Sequence, residues 1–213
     1  MVDKFRDPLL TPAEAARHLG MPASTLYYWL GEEVDGAPVI HRVSAARRGW
    51  PSMPFIAVVE AYVLRAMRDL GLRKDRILAA VAEARREFKT PYALATERVR
   101  TDGVDLFLHY ADGELVRFGD GQRPIREVLD LYLRDISFNE RDGWPERLRL
   151  RRYGEAEVVI DPRFSWGAPV IQPVAAPVDA VVTLWKAGEP MEVVADEFGL
   201  TRDVVEAVCR VAA

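Results

Sequence analysis

The sequence predicts a mainly helical α+β fold: an N-terminal winged helix-turn-helix, a small central β-hairpin and helix region, and a C-terminal helical unit resembling a second helix-turn-helix. Three observations carry this. A two-helix pattern pivots on Gly20, strand-like alternation is confined to the middle of the chain, and the spacing of the first pattern returns near the end. With 213 residues, 49% of them hydrophobic, the chain can bury a real core. No apolar run approaches the ~20 residues of a membrane span. The charged start, Met1 to Arg6, lacks a signal peptide's apolar core. The single cysteine, Cys209, lies in an apolar helical pattern and is expected to be a buried, inert thiol. These features point to a soluble, cytoplasmic protein.

Taken in order, the first element is the most informative. Thr11 and Glu14 have capping-box spacing, and Pro12 occupies the first helical position. Gly20 supplies a tight turn, and Ala16 is small where a second helix crosses. Leu26 and Trp29 then face inward. Ser24, Thr25, Tyr27 and Tyr28 are left outward, a polar and aromatic face suited to phosphates and base edges. The same pattern also occurs in helical hairpins used only for packing.

Gly31 to Gly36 reads as a turn, Val39 to Val43 as a short strand, and Ala45 to Pro51 as the return of a hairpin. This is a wing whose Arg42, Arg47 and Arg48 can reach the backbone beside a groove. A net charge of −4 argues against indiscriminate coating of nucleic acid. Specific binding stays open, because local positive charge decides phosphate contact. The other basic stretch, Arg147 to Arg152, alternates with Leu148 and Leu150 and reads as a strand with one solvated face.

Helical periodicity runs from Phe55 to Leu70 and again from about Lys74 to Phe88. Val104 to Tyr110 and Leu115 to Phe118 read as a β-hairpin turning at Asp112-Gly113, and Pro124 opens a helix to about Ile136. Strands are expected at Leu148 to Tyr153 and Val158 to Ile160. Three prolines in Trp166 to Pro177 exclude a regular helix or a central strand there. Three helices follow: Val178 to Ala187, Met191 to Phe198 and Thr201 to Ala212. Ala195, Gly199 and Val205 stand at the intervals of Ala16, Gly20 and Leu26. The chemistry differs at the two ends. Asp196, Glu197, Asp203 and Glu206 outweigh Arg202 and Arg210, so this end reads as a protein-protein element. Val204, Val205, Val208 and Val211 exceed one buried stripe, as a dimer surface would.

His18, His41 and His109 lie in separate segments without metal-ligand spacing, His18 closing the first helix and His109 on a hairpin strand. Gly119-Asp-Gly121 lacks the third glycine and βαβ setting of a phosphate loop. No enzyme, metal or cofactor is expected.

Certain phrases resemble a known family. Asp161-Pro-Arg-Phe-Ser-Trp-Gly-Ala-Pro-Val-Ile171, followed by Gly188 to Thr201, is similar to the helical domain of unknown function 433. Thr90 to Thr96 and Arg100 to Gly103 resemble longer members that join it to a MerR-like helix-turn-helix, the VapB-type antitoxins. The resemblance implies a non-enzymatic homodimer that binds its own double-stranded operator and neutralises a PIN-domain ribonuclease toxin. It assigns DNA reading to Ala23–Leu30 and the wing arginines. The implied division is 1–89 for DNA binding, 90–156 for a central region and 157–213 for the antitoxin-type, dimerising domain. Where the family has Gly-Thr-Arg, this chain has Pro173-Val174-Ala175, and it ends at Ala213 without the tail that often fills the toxin site. A stand-alone MerR-like regulator, or an interaction adaptor without a toxin partner, is the alternative.

Overall fold

The computed structural model describes residues 2–111, 115–118 and 121–212. Helix α1 (Pro12–Leu19) starts on a complete capping box. The Glu14 N–H donates to Thr11 Oγ1 at 3.2 Å, and the Glu14 carboxylate accepts the Thr11 N–H at 2.8 Å. It ends at Gly20, whose φ of 69° is the left-handed conformation that glycine adopts without strain. The Met21 N–H then returns to the Ala16 carbonyl at 3.0 Å, and the chain re-enters a helix as α2 (Ala23–Trp29). Ala16, Leu26 and Trp29 are buried where the two helices meet.

Two long helices follow, α3 (Phe55–Asp69) and α4 (Lys74–Phe88). Twelve of the fifteen residues of α3 are buried, so this helix runs through the centre of the molecule rather than along its surface. A short helix α5 (Arg98–Thr101) leads to α6 (Gly103–Tyr110). The strand expected at Val104 to Tyr110 is therefore a helix. Its apolar run fits either period, and the decision comes from packing: Val104 and Phe107, one turn apart, bury together, and α6 lies on α4. The expected turn at Asp112-Gly113 lies outside the described residues. A hairpin does form one step later, between β3 (Leu115–Phe118) and β4 (Gly121–Pro124), before α7 (Ile125–Leu133).

The main sheet is an antiparallel five-stranded meander of β5 (Ile136–Phe138), β6 (Pro145–Arg149), β7 (Val158–Ile160), β8 (Val170–Ile171) and β9 (Ala176–Pro177), in sequence order. Leu148 and Arg149 of β6 pair with Ile160 and Val159 of β7, so strands from either side of residues 156 and 157 share one sheet. Two expectations change here. The strand expected to reach Tyr153 stops at Arg149, and Arg151–Tyr153 forms a 3₁₀ turn. Within the proline-rich run, β8 is an inner strand, because Val170 and Ile171 keep their N–H groups while Pro169 and Pro173 lie outside the pairing. Pro177 sits on the edge strand, where a missing donor costs nothing. The Pro173-Val174-Ala175 departure forms the turn between them, with Ala175 at φ 55°.

Helices α8 (Val178–Lys186), α9 (Met191–Phe198) and α10 (Arg202–Ala212) complete the chain. Gly199, at φ 64° and ψ 34°, nearly repeats the 69° and 36° of Gly20, and the Leu200 N–H returns to Ala195 at 2.9 Å. Val205, Val208 and Cys209 are buried, with Val204 and Val211 half-buried.

Three of the four arginines in the basic stretch 147–152 are absorbed into the fold, and Arg149 stays exposed. Arg147 pairs with Glu157 at 2.5 Å, and Arg151 pairs with the buried Asp135 at 2.7 Å. Arg152 donates to the Arg17 carbonyl, while Arg65 on α3 donates to that of Leu19, so two guanidinium groups cap the end of α1. His109 stands on α6 against Tyr110 rather than on a strand. His18, at the end of α1, is drawn into the core. It is buried, with Nδ1 2.7 Å from the Tyr153 hydroxyl oxygen. Burial, and next the Arg17 guanidinium, push its pKa down to about 4 from 6.5.

The folded state thus favours neutral His18, and its contribution is complete above pH 6.5 and lost as pH falls towards 4. We expect unfolding free energy, measured by urea titration, to fall by roughly 3 kcal/mol more between those pH values in the native chain than in His18→Gln.

Candidate nucleic-acid interface

Helix α2 buries Leu26 and Trp29 and turns its opposite side to solvent. Ser24 is exposed, Thr25 half-buried, and Tyr27 and Tyr28 are 53% and 45% exposed. The outward face read from the sequence is therefore present. Tyr28 is not free-standing, however. Lys74, at the start of α4, places Nζ 4.7 Å from the Tyr28 ring centroid and 3.0 Å from Glu32 Oε1. Hydrogen bonds to Tyr28 and Glu32 raise the lysine's pKa, holding it as a cation beside the tyrosine.

The wing differs from its expected form. Its hairpin is β1 (Glu33–Val34) with β2 (Ala37–Pro38), and Val39 to Val43 is not a strand. The turn is Asp35-Gly36, both at positive φ (52° and 75°), the conformation a two-residue hairpin of right-handed twist requires. Arg85 of α4 clamps this hairpin by donating to the carbonyls of Val34 at 2.7 Å, Ala37 at 3.2 Å and Pro38 at 2.5 Å. The three arginines of the wing sit beyond it. Arg42 is exposed, and Arg47 and Arg48 belong to a stretch, residues 44–50, that is exposed throughout.

That stretch is a loop closed at its base. The Val43 N–H donates to Ser52 at 2.9 Å, and Leu10 and Met53 pair as a β-bridge just before α1. Arg47 stacks over Trp50 at 5.3 Å, and Trp50 is itself 52% exposed. None of Arg42, Arg47 and Arg48 makes an ion pair among the described residues. No contact there joins them to the α2 tyrosines, so the two groups stand side by side in the chain as separate exposed sets.

The root of the loop rests on one buried carboxylate. Glu60 of α3 accepts the His41 backbone N–H at 2.8 Å and contacts the His41 ring Nδ1 at 2.7 Å. Burial raises the pKa of Glu60, and its contacts with His41 oppose that rise. Glu60, Lys74 and Trp50 were not singled out by sequence reasoning. Trp50, between Arg48 and Pro51, carried a local signal as an aromatic in a polar loop. Glu60 and Lys74 act on residues far along the chain, and no local pattern marks them.

Comparison with known proteins places this geometry. Residues 8–81 match the family model described as "Putative DNA-binding HTH domain", and residues 158–211 match "Protein of unknown function (DUF433)". The chain is 33% identical over 230 residues to the protein named "Putative antitoxin VapB45" from Mycobacterium tuberculosis H37Rv, spanning 96% of this chain and 95% of that one. This chain belongs to that VapB-type antitoxin family. The crystal structure of Rv2018 from Mycobacterium tuberculosis is similar with a TM-score of 0.79 at 31% identity, covering 97% of this chain and 99% of the other.

In this antitoxin-family chain, the region matched as DNA-binding contains both the α2 face and the arginine loop, together with Glu60 and Lys74. Among the described residues, no three His, Cys, Asp or Glu side chains are grouped to hold a metal ion, and no helix is long and apolar enough to cross a membrane.

Glu60→Ala leaves the His41 N–H without its acceptor, so urea denaturation should show a loss of about 1–3 kcal/mol. Glu60→Gln retains an oxygen acceptor and should lose less.

Proposed function

We propose that the chain is an operator-binding autorepressor that acts as a dimer and neutralises a PIN-domain ribonuclease toxin. In this reading residues 1–89 bind DNA, 157–213 hold protein partners, and 90–156 join them. The observation that carries it is the contrast between the chain's two basic stretches. Arg147, Arg151 and Arg152 are consumed by carboxylates and carbonyls of the chain itself, while Arg149 stays exposed. Arg42, Arg47 and Arg48, by contrast, are all exposed, make no ion pair among the described residues, and lie with the exposed α2 in the one matched region.

The roles divide by chemistry. The arginines contact phosphates and supply salt-dependent affinity, and Ser24, Thr25, Tyr27 and Tyr28 supply base selectivity. Lys74 adds a cation beside Tyr28, which shifts the aromatic reading towards Tyr27. Two copies would place their α2 helices about one duplex turn apart, or a multiple of it, on a palindromic site.

Gel shift with the duplex upstream of the chain's own gene tests the DNA half. Arg47→Ala should weaken binding to operator and unrelated DNA alike and reduce the slope of log affinity against log salt by about 1. An unchanged slope removes the loop from the interface. Tyr27→Ala should weaken the operator complex selectively. Co-purification with the product of the neighbouring reading frame, and loss of its ribonuclease activity in the complex, tests the toxin half.

A further inference from the structure

Helix α8 is apolar on two sides. Val178, Val181 and Val182 enter the core. Ala180, Leu184 and Ala187 form a second stripe at helical spacing, and Ala180 and Ala187 are exposed. With Val193 and Phe198 of α9 they line an open groove of about 770 Å³. Val193 is 47% exposed, so this apolar face is not closed by the chain itself.

The edge of the groove is acidic. Asp179, Glu189 and Glu197 belong to its lining, which includes no basic residue. Asp179 has only a 3.5 Å contact with Arg17, and Glu189 and Glu197 pair with no cation among the described residues. A second copy docked on the same face would set these carboxylates against their own counterparts, and DNA would be repelled. The complementary occupant is a helix with an apolar ridge at i, i+3/i+4 and i+7 flanked by lysine or arginine.

The geometry points to the α8–α9 groove as the docking site for a basic amphipathic helix of a different protein. This deepens the proposed function, resting on its claim that the chain has a protein partner, and places that contact away from the α2 face.

The test uses the full chain and two fluorescent peptides of roughly 18 residues, long enough to hold helix. Both carry the same leucine ridge, one flanked by lysine and arginine, the other by glutamate. Fluorescence anisotropy at about 0.15 M salt should show the basic peptide binding at least about tenfold more tightly than its acidic twin. Ala180→Arg and, on the opposite helix, Val193→Lys should each weaken it about tenfold, with circular dichroism confirming the fold of each variant. Glu189→Lys with Glu197→Lys should bring the two peptides within about twofold.

Equal binding of the two peptides, no binding of the basic one, or indifference to both groove variants would overturn the proposal. So would a native dimer that Ala180→Arg dissociates, since the occupant would then be a second copy. Operator gel shift and ribonuclease inhibition are read separately. If they persist while peptide selectivity is absent, the docking site alone is wrong. If they fail while selectivity is present, the functional reading is wrong.

Discussion

The burial of α3 over most of its length is the constraint on which the remaining structure depends. A helix so enclosed must satisfy each polar group it buries, and the polar side chains of α3, buried and half-exposed alike, reach outward to neighbouring elements. Glu60 holds His41 at the root of the arginine loop. Tyr62 donates to Asp135 at 2.6 Å, and Asp135 also takes Arg151, tying the helix to the sheet region. Arg65 caps Leu19 at the end of α1, and Asp69 accepts the Tyr132 hydroxyl of α7. One hydrophobic axle with four polar spokes fixes the helix-turn-helix, its loop and the central sheet relative to one another.

The same backbone device serves both ends of the chain with opposite chemistry. Gly20 and Gly199 close their first helices with nearly the same left-handed angles, and each following N–H returns five residues. A side chain at Gly20 would also come within 2.9 Å of the Arg65 guanidinium that caps the helix. What differs is the surface delivered: exposed tyrosines at the amino end, carboxylates around an apolar groove at the carboxyl end. Helix-turn-helix geometry by itself therefore does not decide the ligand.

Much of this was legible in the sequence where the signals are local. The capping box at Thr11, the glycine turns, and the bounds of α3, α4 and α9 follow from neighbours three or four residues apart. The α2 face was legible for the same reason, since burial of Leu26 and Trp29 fixes which side is left outward. The failures have a common cause. Val104 to Tyr110 is apolar enough for either period, and its helix is chosen by the surface of α4. The hairpin of the wing closes at Asp35-Gly36, inside the turn expected at Gly31 to Gly36, while the more strand-like Val39 to Val43 forms no strand. The burial of His18 was not legible, because it depends on Tyr153, 135 positions away. Glu60 and Lys74 were missed because their partners are likewise remote.

The most direct measurement of the central claim is site-specific photocrosslinking to the duplex upstream of the chain's own gene. A photoreactive phenylalanine analogue would be placed in turn at Tyr27, Arg48 and Asp203, one each on α2, the arginine loop and α10. The account predicts crosslinks to DNA from positions 27 and 48 and none from 203. Crosslinking from 203, with 27 and 48 silent, would contradict it.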